Sequence, residues 1–304
     1  MLKEKRMKTK VEPFQREKEI SGHNGAVYTI SANDPYIYSG SADRFVARWK
    51  ILEGIQDNFS IRLEHPVYAT CLANDRLFIG LNNGDLHIVD INERKELKFY
   101  QQHKVGIFEI AFNGSLQQVY VADADGNLSV WDCNTLELVI YLPLDCGKIR
   151  NISVSKDGAR FALGGQDGVC RILNAENFNE EASWMAHKSG VTGVLLDNDR
   201  VITGGKDALL TIWDLEGEEL KKPIPAHNFG VYRILRFNDD VILSASRDKT
   251  IKVWDNELGF IQRLDHKEGG HRHSVNELVK VDNNRFASCS DDGKIILWSS
   301  GLLA

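Results

Sequence analysis

The 304-residue sequence has no apolar run of about 18 residues or more, so no membrane-spanning helix is expected. Its opening, MLKEKRMKTKVEPF, lacks the apolar centre of a secretory signal. Cysteines are few and odd in number: Cys71, Cys133, Cys146, Cys170 and Cys289 are scattered, with no CxxC spacing. That argues against a disulfide framework and for small buried hydrophobes in a reducing compartment, so a cytoplasmic location is expected. Positive excess is also missing. Lys and Arg number 37 against 43 Asp and Glu, a net charge of −6. A general nucleic-acid or anionic-membrane binder is therefore not expected, although a local basic patch remains open.

Catalytic signatures are absent too. No GxxxxGK[ST], GxSxG or HExxH occurs, so the pairs Gly164-Gly165 and Gly204-Gly205 are not phosphate loops. The run Asp123-Ala-Asp125-Gly-Asn127 has Leu128 and Asn134 where a calcium loop needs Gly and Glu, and reads instead as a strand-joining turn. Asp265, His266, His271 and His273 cluster in sequence, but a metal site is not expected because His271 has a structural role, given below. No enzyme activity, cofactor or metal is expected.

What the chain does have is a repeat. Ser244–Asp255, SASRDKTIKVWD, reads as a strand, a tight turn at Arg247-Asp248-Lys249 and a second strand with period-2 alternation. Anchors close successive units at Trp49, Val89, Trp131, Leu173, Trp213, Trp254 and Trp298. Six positions before each stands Asp43, Asn83, Asp125, Asp167, Asp207, Asp248 or Asp292. Seven copies of about 41 residues result, and a unit of that size cannot bury both faces of its own sheet without neighbours.

These units resemble WD40 repeats over roughly residues 14–304, on the Gly-His pairs Gly22-His23 and Gly270-His271 and the Trp-Asp endings at 131–132, 213–214 and 254–255. The resemblance implies an all-β chain, a seven-bladed propeller of four-stranded antiparallel blades over residues 13–304. The last unit stops one strand short. Phe14–Ile20 is expected to supply the outer strand of the seventh blade beside Lys294–Trp298, closing an open edge. Residues 1–12 form a basic tail, with Lys3, Lys5, Arg6, Lys8 and Lys10 against Glu4 and Glu12. The tail reads either as a solvated end or as an arm for an anionic surface.

The resemblance also implies a buried chain of hydrogen bonds through the turn Asp, a His, a hydroxyl and the Trp. Four units match in full: His23, Ser39, Asp43 and Trp49; His187, Thr203, Asp207 and Trp213; His227, Ser244, Asp248 and Trp254; His271, Ser288, Asp292 and Trp298. In units two to four, Ile79, Val121 and Leu163 replace the hydroxyl, and Asp145 stands in the fourth at the histidine position. Apolar packing is expected there, with His65 and His103 short of partners.

Function is expected on a face, not in the strands. In the resembled family the usual partner-binding mouth is lined by residues at the start of each innermost strand and just before the turn acid. The strand starts are Tyr28, Tyr68, Phe108, Arg150, Thr192, Tyr232 and Asn276, with Lys148 two residues before Arg150. Before the turn acids stand Ala42, Asn82, Ala124, Gln166, Lys206, Arg247 and Asp291. Aromatics on one part of the ring and cations on another suggest a mouth for an acidic protein segment with apolar anchors, since Tyr and Arg are enriched at binding hot spots. The candidate contact residues are Tyr28, Tyr68, Phe108, Lys148, Arg150, Lys206, Tyr232 and Arg247. The plain alternative is that the rings only plug the channel and the cations pair with carboxylates. The resulting expectation is a non-catalytic protein-interaction scaffold or adaptor, monomeric outside its complex. A small anionic ligand at the same cations is the second reading, and a propeller enzyme the last.

Overall fold

A computed structural model describes residues 12–301. Strands alternate with tight turns throughout, and the one helical segment among the described residues is a single 3-10 turn, His266–Glu268. The strands form seven separate four-stranded antiparallel sheets. Blade one shows the plan, with strands Val27–Asn33, Tyr36–Ser41, Phe45–Lys50 and Ile55–Arg62 running from the channel to the rim. Blades two to six repeat it over 67–100, 107–143, 152–185, 191–225 and 231–264.

Turn chemistry explains why each copy folds alike. The residue after the turn acid takes a left-handed φ in all seven units: Arg44, Gly84, Gly126, Gly168, Ala208, Lys249 and Gly293. Glycine is the natural occupant there, and four of the seven positions use it. The acid supports the turn by accepting the backbone N–H two residues on, as Asp43 Oδ1 does from Phe45 at 3.0 Å and Asp248 Oδ1 from Thr250 at 3.0 Å.

Blade seven is closed as its missing strand requires. Phe14–Ser21 pairs antiparallel with Lys294–Ser300, and the strands Arg285–Ser290 and Val275–Lys280 complete the sheet. Phe14 is buried, its ring 5.0 Å from those of both Phe237 in blade six and Phe286 in blade seven. The basic tail expected over residues 1–12 falls mostly on residues 1–11, which lie outside the described residues.

The inner strands of adjacent blades face the channel, and side chains tie them to one another. Thr29 Oγ1 accepts the Thr70 amide at 3.0 Å, and Asn151 Oδ1 accepts that of Val194 at 2.7 Å. These bonds satisfy buried backbone donors that would otherwise be orphaned.

In the four units with a full set of residues, the hydrogen-bond chain is continuous. In blade six His227 Nδ1 lies 3.0 Å from Asp248, His227 Nε2 lies 2.7 Å from Ser244 Oγ, and Trp254 Nε1 donates to Ser244 Oγ at 2.8 Å. The set at His23 (2.9, 2.7 and 2.7 Å), the set at His187 and the set at His271 match it. A neutral ring satisfies every member: Trp N–H donates to the hydroxyl, the hydroxyl to Nε2, and Nδ1–H to the carboxylate.

Two expectations for units two to four are corrected. His103 does not lack partners. Its Nδ1 lies 2.8 Å from Asp123 Oδ2 and its Nε2 2.8 Å from Ser129 Oγ, which also accepts from Trp131 Nε1 at 2.8 Å. Val121 and Ser129 are cross-strand partners, as Ser39 and Ala47 are in blade one, so the hydroxyl has moved to the facing strand. The acid has moved as well. Asp123 Oδ1 accepts the amides of Asp125 and Asn127 at 2.9 Å each, and Asp125 is exposed.

In blade four Asp145 is exposed and does not occupy the histidine space. A Cβ on Gly205 of blade five would meet His187 Nδ1 at 2.4 Å, while one on the matching Gly165 would meet Cys146 Cβ at 2.9 Å. Cys146 therefore fills that space, and burial pushes its thiol up to about 11. Asp167, freed of a histidine, binds Arg171 at 2.6 Å. His65 in blade two lies exposed at the surface.

Candidate functional site

The inner-strand starts converge on one end of a central cavity of about 860 Å³. Tyr28, Tyr68, Phe108, Lys148, Arg150, Tyr232, Asn276 and Asp291 all line it. The three aromatics of blades one to three form a continuous arc. Tyr28 and Tyr68 meet edge-on with centroids 5.1 Å apart, and Tyr68 and Phe108 are 4.9 Å apart.

Arg150 extends the arc to the other side, its guanidinium carbon 5.1 Å from the Phe108 centroid and 5.5 Å from that of Tyr232. Lys148 Nζ lies 4.0 Å above Phe108. Ring quadrupoles favour cations at these distances but do not neutralise them.

Burial, Arg150 and Lys206 together lower the pKa of Lys148, and burial lowers that of Arg150. Such lowering marks cations crowded together without a carboxylate. Among the described residues none of Lys148, Arg150, Lys206 and Arg247 forms a salt bridge; the arginines and lysines that do are elsewhere.

Lys206 and Arg247 are exposed on the face just before their turn acids. The opposite side is closed differently: Asn276 Nδ2 donates to Asp291 Oδ1 at 2.8 Å and to the Val27 carbonyl at 2.9 Å. Thr192, the strand start of blade five, is buried, with its hydroxyl donated to the Val231 and Gly204 carbonyls, so it offers nothing to the mouth.

Two features of this face escape a reading confined to the strand starts. Phe229, on the loop entering blade six, is 57 % exposed and its ring lies 5.9 Å from the Arg247 guanidinium. It sits one residue before Gly230, outside the positions that the repeat aligns.

The second feature lies one residue deeper in the channel. Arg233 Nη1 contacts both oxygens of Glu109, at 2.9 and 3.0 Å, and its Nε lies 2.6 Å from Glu277. One guanidinium thus spans the channel between blades three, six and seven and holds two carboxylates. Asn151 Nδ2 adds a bond to Glu109 at 3.4 Å. Burial raises Glu277 to about 7 despite the attraction of Arg233, and raises Glu109 as well. Arg233, although mostly withdrawn from solvent, is held protonated by the two acids. A charged residue directly after Phe108, Tyr232 and Asn276, one step into each innermost strand, was the available signal for this belt.

The remaining sequence candidates have local roles. Asp265 caps the 3-10 turn by accepting from Lys267 N and also binds Arg263, while His271 belongs to its blade's hydrogen-bond chain. Among the described residues no group of three or more His, Cys, Asp or Glu is placed to hold a metal ion. No helix among them is long and apolar enough to cross a membrane.

A protein-family model described as WD domain, G-beta repeat matches residues 14–50, 94–132, 178–214, 218–255 and 262–299, more than half of the chain. The stretches between, 51–93 and 133–177, hold Val89 and Leu173, the two anchors that are not Trp. Among curated proteins, the chain is 22 % identical to human apoptotic protease-activating factor 1 over 257 residues, 84 % of this chain and 17 % of that protein. It is 27 % identical to the tobacco guanine nucleotide-binding protein subunit beta over 219 residues, 66 % of this chain and 58 % of the relative. It is 21 % identical to eukaryotic translation initiation factor 3 subunit I of Vanderwaltozyma polyspora over 191 residues, 55 % of this chain and 54 % of the relative. The match spans less than two thirds of the length of each of these relatives.

Proposed function

The chain belongs to the WD40 family, and on that premise we propose that it is a non-catalytic protein-interaction scaffold whose mouth takes an acidic partner segment carrying an apolar anchor. The observation that carries this reading is the pair Lys148 and Arg150, held among Phe108 and Tyr232 with no carboxylate partner among the described residues. Cations half-withdrawn from water and left unpaired cost free energy in the free protein. An arriving carboxylate offsets that cost, and the Tyr28–Tyr68–Phe108 arc offers an apolar surface beside it. Two of the relatives are by name subunits of larger assemblies, which agrees with a scaffold. Because the ring closes on its own first strand, its core needs no second copy, and a monomer is proposed outside the complex.

The same cations and the cavity of about 860 Å³ beneath them would also admit a small anionic ligand. One experiment separates the two. Fluorescence anisotropy with labelled peptides that pair Glu or Asp with Leu or Phe should show binding that weakens with salt, because exposed charge attraction is screened beyond about 10 Å at 0.1 M. Replacing Lys206→Glu and Arg247→Glu, both exposed, should lower affinity about tenfold or more while leaving the urea midpoint unchanged. Affinity unmoved by those replacements would remove the mouth from the proposal. A thermal shift with phosphorylated metabolites, and none with acidic peptides, would instead establish the small-ligand reading.

A further inference from the structure

The outermost strand of every blade has a free side, because its four-stranded sheet ends there. An open edge presents unpaired N–H and C=O groups to any extended chain, and proteins guard such edges with charge or proline. Six of the seven outer strands follow that rule. Phe14–Ser21, Ile55–Arg62, Lys95–Tyr100, Glu180–Met185, Glu219–Pro225 and Phe260–Leu264 each carry at least one Asp, Glu, Lys or Arg. The outer strand of blade three, Leu138–Pro143, reads LVIYLP and carries none.

Exposed apolar surface alone does not set this strand apart. Ile55, Phe99, Met185, Leu220 and Phe260 are exposed too, one to a strand, but each shares its strand with charge. In blade three two such side chains follow one another, Leu138 at 39 % and Val139 at 49 % exposure. Ile140 and Leu142 pack against the cluster shared by blades three and four, which fixes the strand while its edge stays open.

The ladder shows which backbone groups are free. Leu144 N donates to Gly126 O directly opposite, and the register continues through Leu128 with Leu142 and Val130 with Ile140. Antiparallel bonds alternate, so Leu142 and Ile140 bond inward and the N–H and C=O of Tyr141 point outward. Val139 sits at a bulge, with no residue opposite it on the inner strand. No further strand pairs with this edge among the described residues.

Acids stand at both ends. Glu137 and Asp145 are exposed, and no Lys or Arg occurs from Thr135 to Asp145. Neither acid forms a salt bridge among the described residues, whereas Asp123, Asp167, Glu180 and Glu181 of blades three and four do. The same acids disfavour a second copy of this chain. An antiparallel self-pair centred on Tyr141 sets Glu137 opposite Asp145, and Val139 opposite Pro143, which has no N–H to give.

We propose that the free edge of Leu138–Pro143 is a docking site for an extended segment of another protein, apolar in its middle with Lys or Arg at both ends, which adds a fifth strand to blade three. Main-chain bonds at Tyr141 supply the pairing, Leu138 and Val139 the apolar contact, and Glu137 and Asp145 hold the basic ends. The site is separate from the mouth, which Phe108 reaches from the innermost strand of the same sheet.

The probe is acetyl-Lys-Val-Thr-Val-Thr-Val-Thr-Val-Lys amide, whose two Lys are as far apart in sequence as Glu137 and Asp145. It should bind with a dissociation constant between about 10 µM and 1 mM and slow exchange of the Tyr141 amide, followed by NMR. Two companions carry N-methyl groups on the valines or on the threonines. A strand pairs through one side only, so one companion should bind like the parent and the other about tenfold more weakly. Val139→Asp, at an exposed site, adds a carboxylate: attraction of charge alone would tighten binding, whereas strand pairing should weaken it about fivefold. Glu137→Lys should weaken binding of this probe about threefold and strengthen that of the same peptide ended in Glu. Lys206→Glu with Arg247→Glu should leave affinity within about twofold, which keeps the result independent of the mouth. Sedimentation of the protein alone reports on self-pairing, and the methylated peptides need no variant to fold. Unchanged Tyr141 exchange, equal affinity for the two methylated peptides, tighter binding by Val139→Asp, or a dimer that Val139→Asp disperses would each overturn the proposal.

Discussion

Ser129 Oγ stands between His103 Nε2 and Trp131 Nε1, 2.8 Å from each, in the place that Ser39 Oγ holds in blade one. What is kept between the two blades is the position of an oxygen, and either of two facing strands can deliver it. The carboxylate behaves in the same way, since Asp123 and not the turn residue Asp125 meets the histidine. Asp123→Ala should therefore cost about 1–3 kcal/mol in urea unfolding, because it strands the His103 donor in a dry site, while Asp125→Ala should stay within about 0.5 kcal/mol. Equal costs would show that the acid six residues before the Trp keeps its role in blade three. The position of the turn acid was legible in six of the seven units, where the carboxyl or amide oxygen accepts the amide two residues on. The exchange in blade three was not, because residues 121 and 129 become interchangeable only once they face each other across a ladder.

At the scale of the element, the strand Phe14–Ser21 closes the ring. It joins the first residues described to the last and buries Phe14 between two blades. Gln262, on the outer strand of blade six, holds its first residue at both ends of the peptide: Gln262 Oε1 accepts from Phe14 N and Gln262 Nε2 donates to Phe14 O, each at 2.9 Å. Phe14→Ala should lower unfolding free energy by about 3–5 kcal/mol, in line with other buried Phe truncations. Gln262→Ala should cost only about 1 kcal/mol, the net worth of such bonds near a surface. Urea titration of both variants checks this. A Phe14→Ala cost below that of Gln262→Ala would mean that the seal rests on the ladder and not on the buried ring. This element was readable in advance because the last unit plainly lacked a strand and the segment before Gly22-His23 had the pattern to supply one.

At the scale of the whole molecule, the seven blades are bound into one ring by contacts across the channel as well as between neighbours. Arg233 links blade six to Glu109 of blade three and Glu277 of blade seven. Two acids share one guanidinium, so ionising both is opposed by burial and by their mutual repulsion, and Glu277 is pushed up to about 7. The consequence for stability has a definite sign. Between the ordinary range of a carboxyl near 4.5 and about 7, the folded protein holds a proton that the unfolded chain releases. The contribution of this group is therefore full at the acid end of that window and is lost as pH rises through it. Burial also lowers the pKa of His227, so the whole-protein pH profile has more than one contributor. The clean measurement is the difference in unfolding free energy between the native protein and Glu277→Gln from pH 5 to pH 7.5. That difference should shift in favour of Glu277→Gln as pH rises, and a flat difference would show that Glu277 is ionised throughout.

Alone, the sequence was sufficient for the period of about 41 residues, the seven anchors, the turn acids and the strand that closes the ring. These follow from local alternation and spacing, because a strand's buried face and a turn's left-handed residue are encoded within a few positions. Only the tertiary structure decided which oxygen completes the chain in blade three, that Cys146 and not Asp145 fills the histidine space of blade four, and that Glu109, Arg233 and Glu277 meet across the channel. The physical reason is shared. These outcomes depend on which residues from distant strands come within a few ångströms once the ring closes, and no local pattern records that proximity.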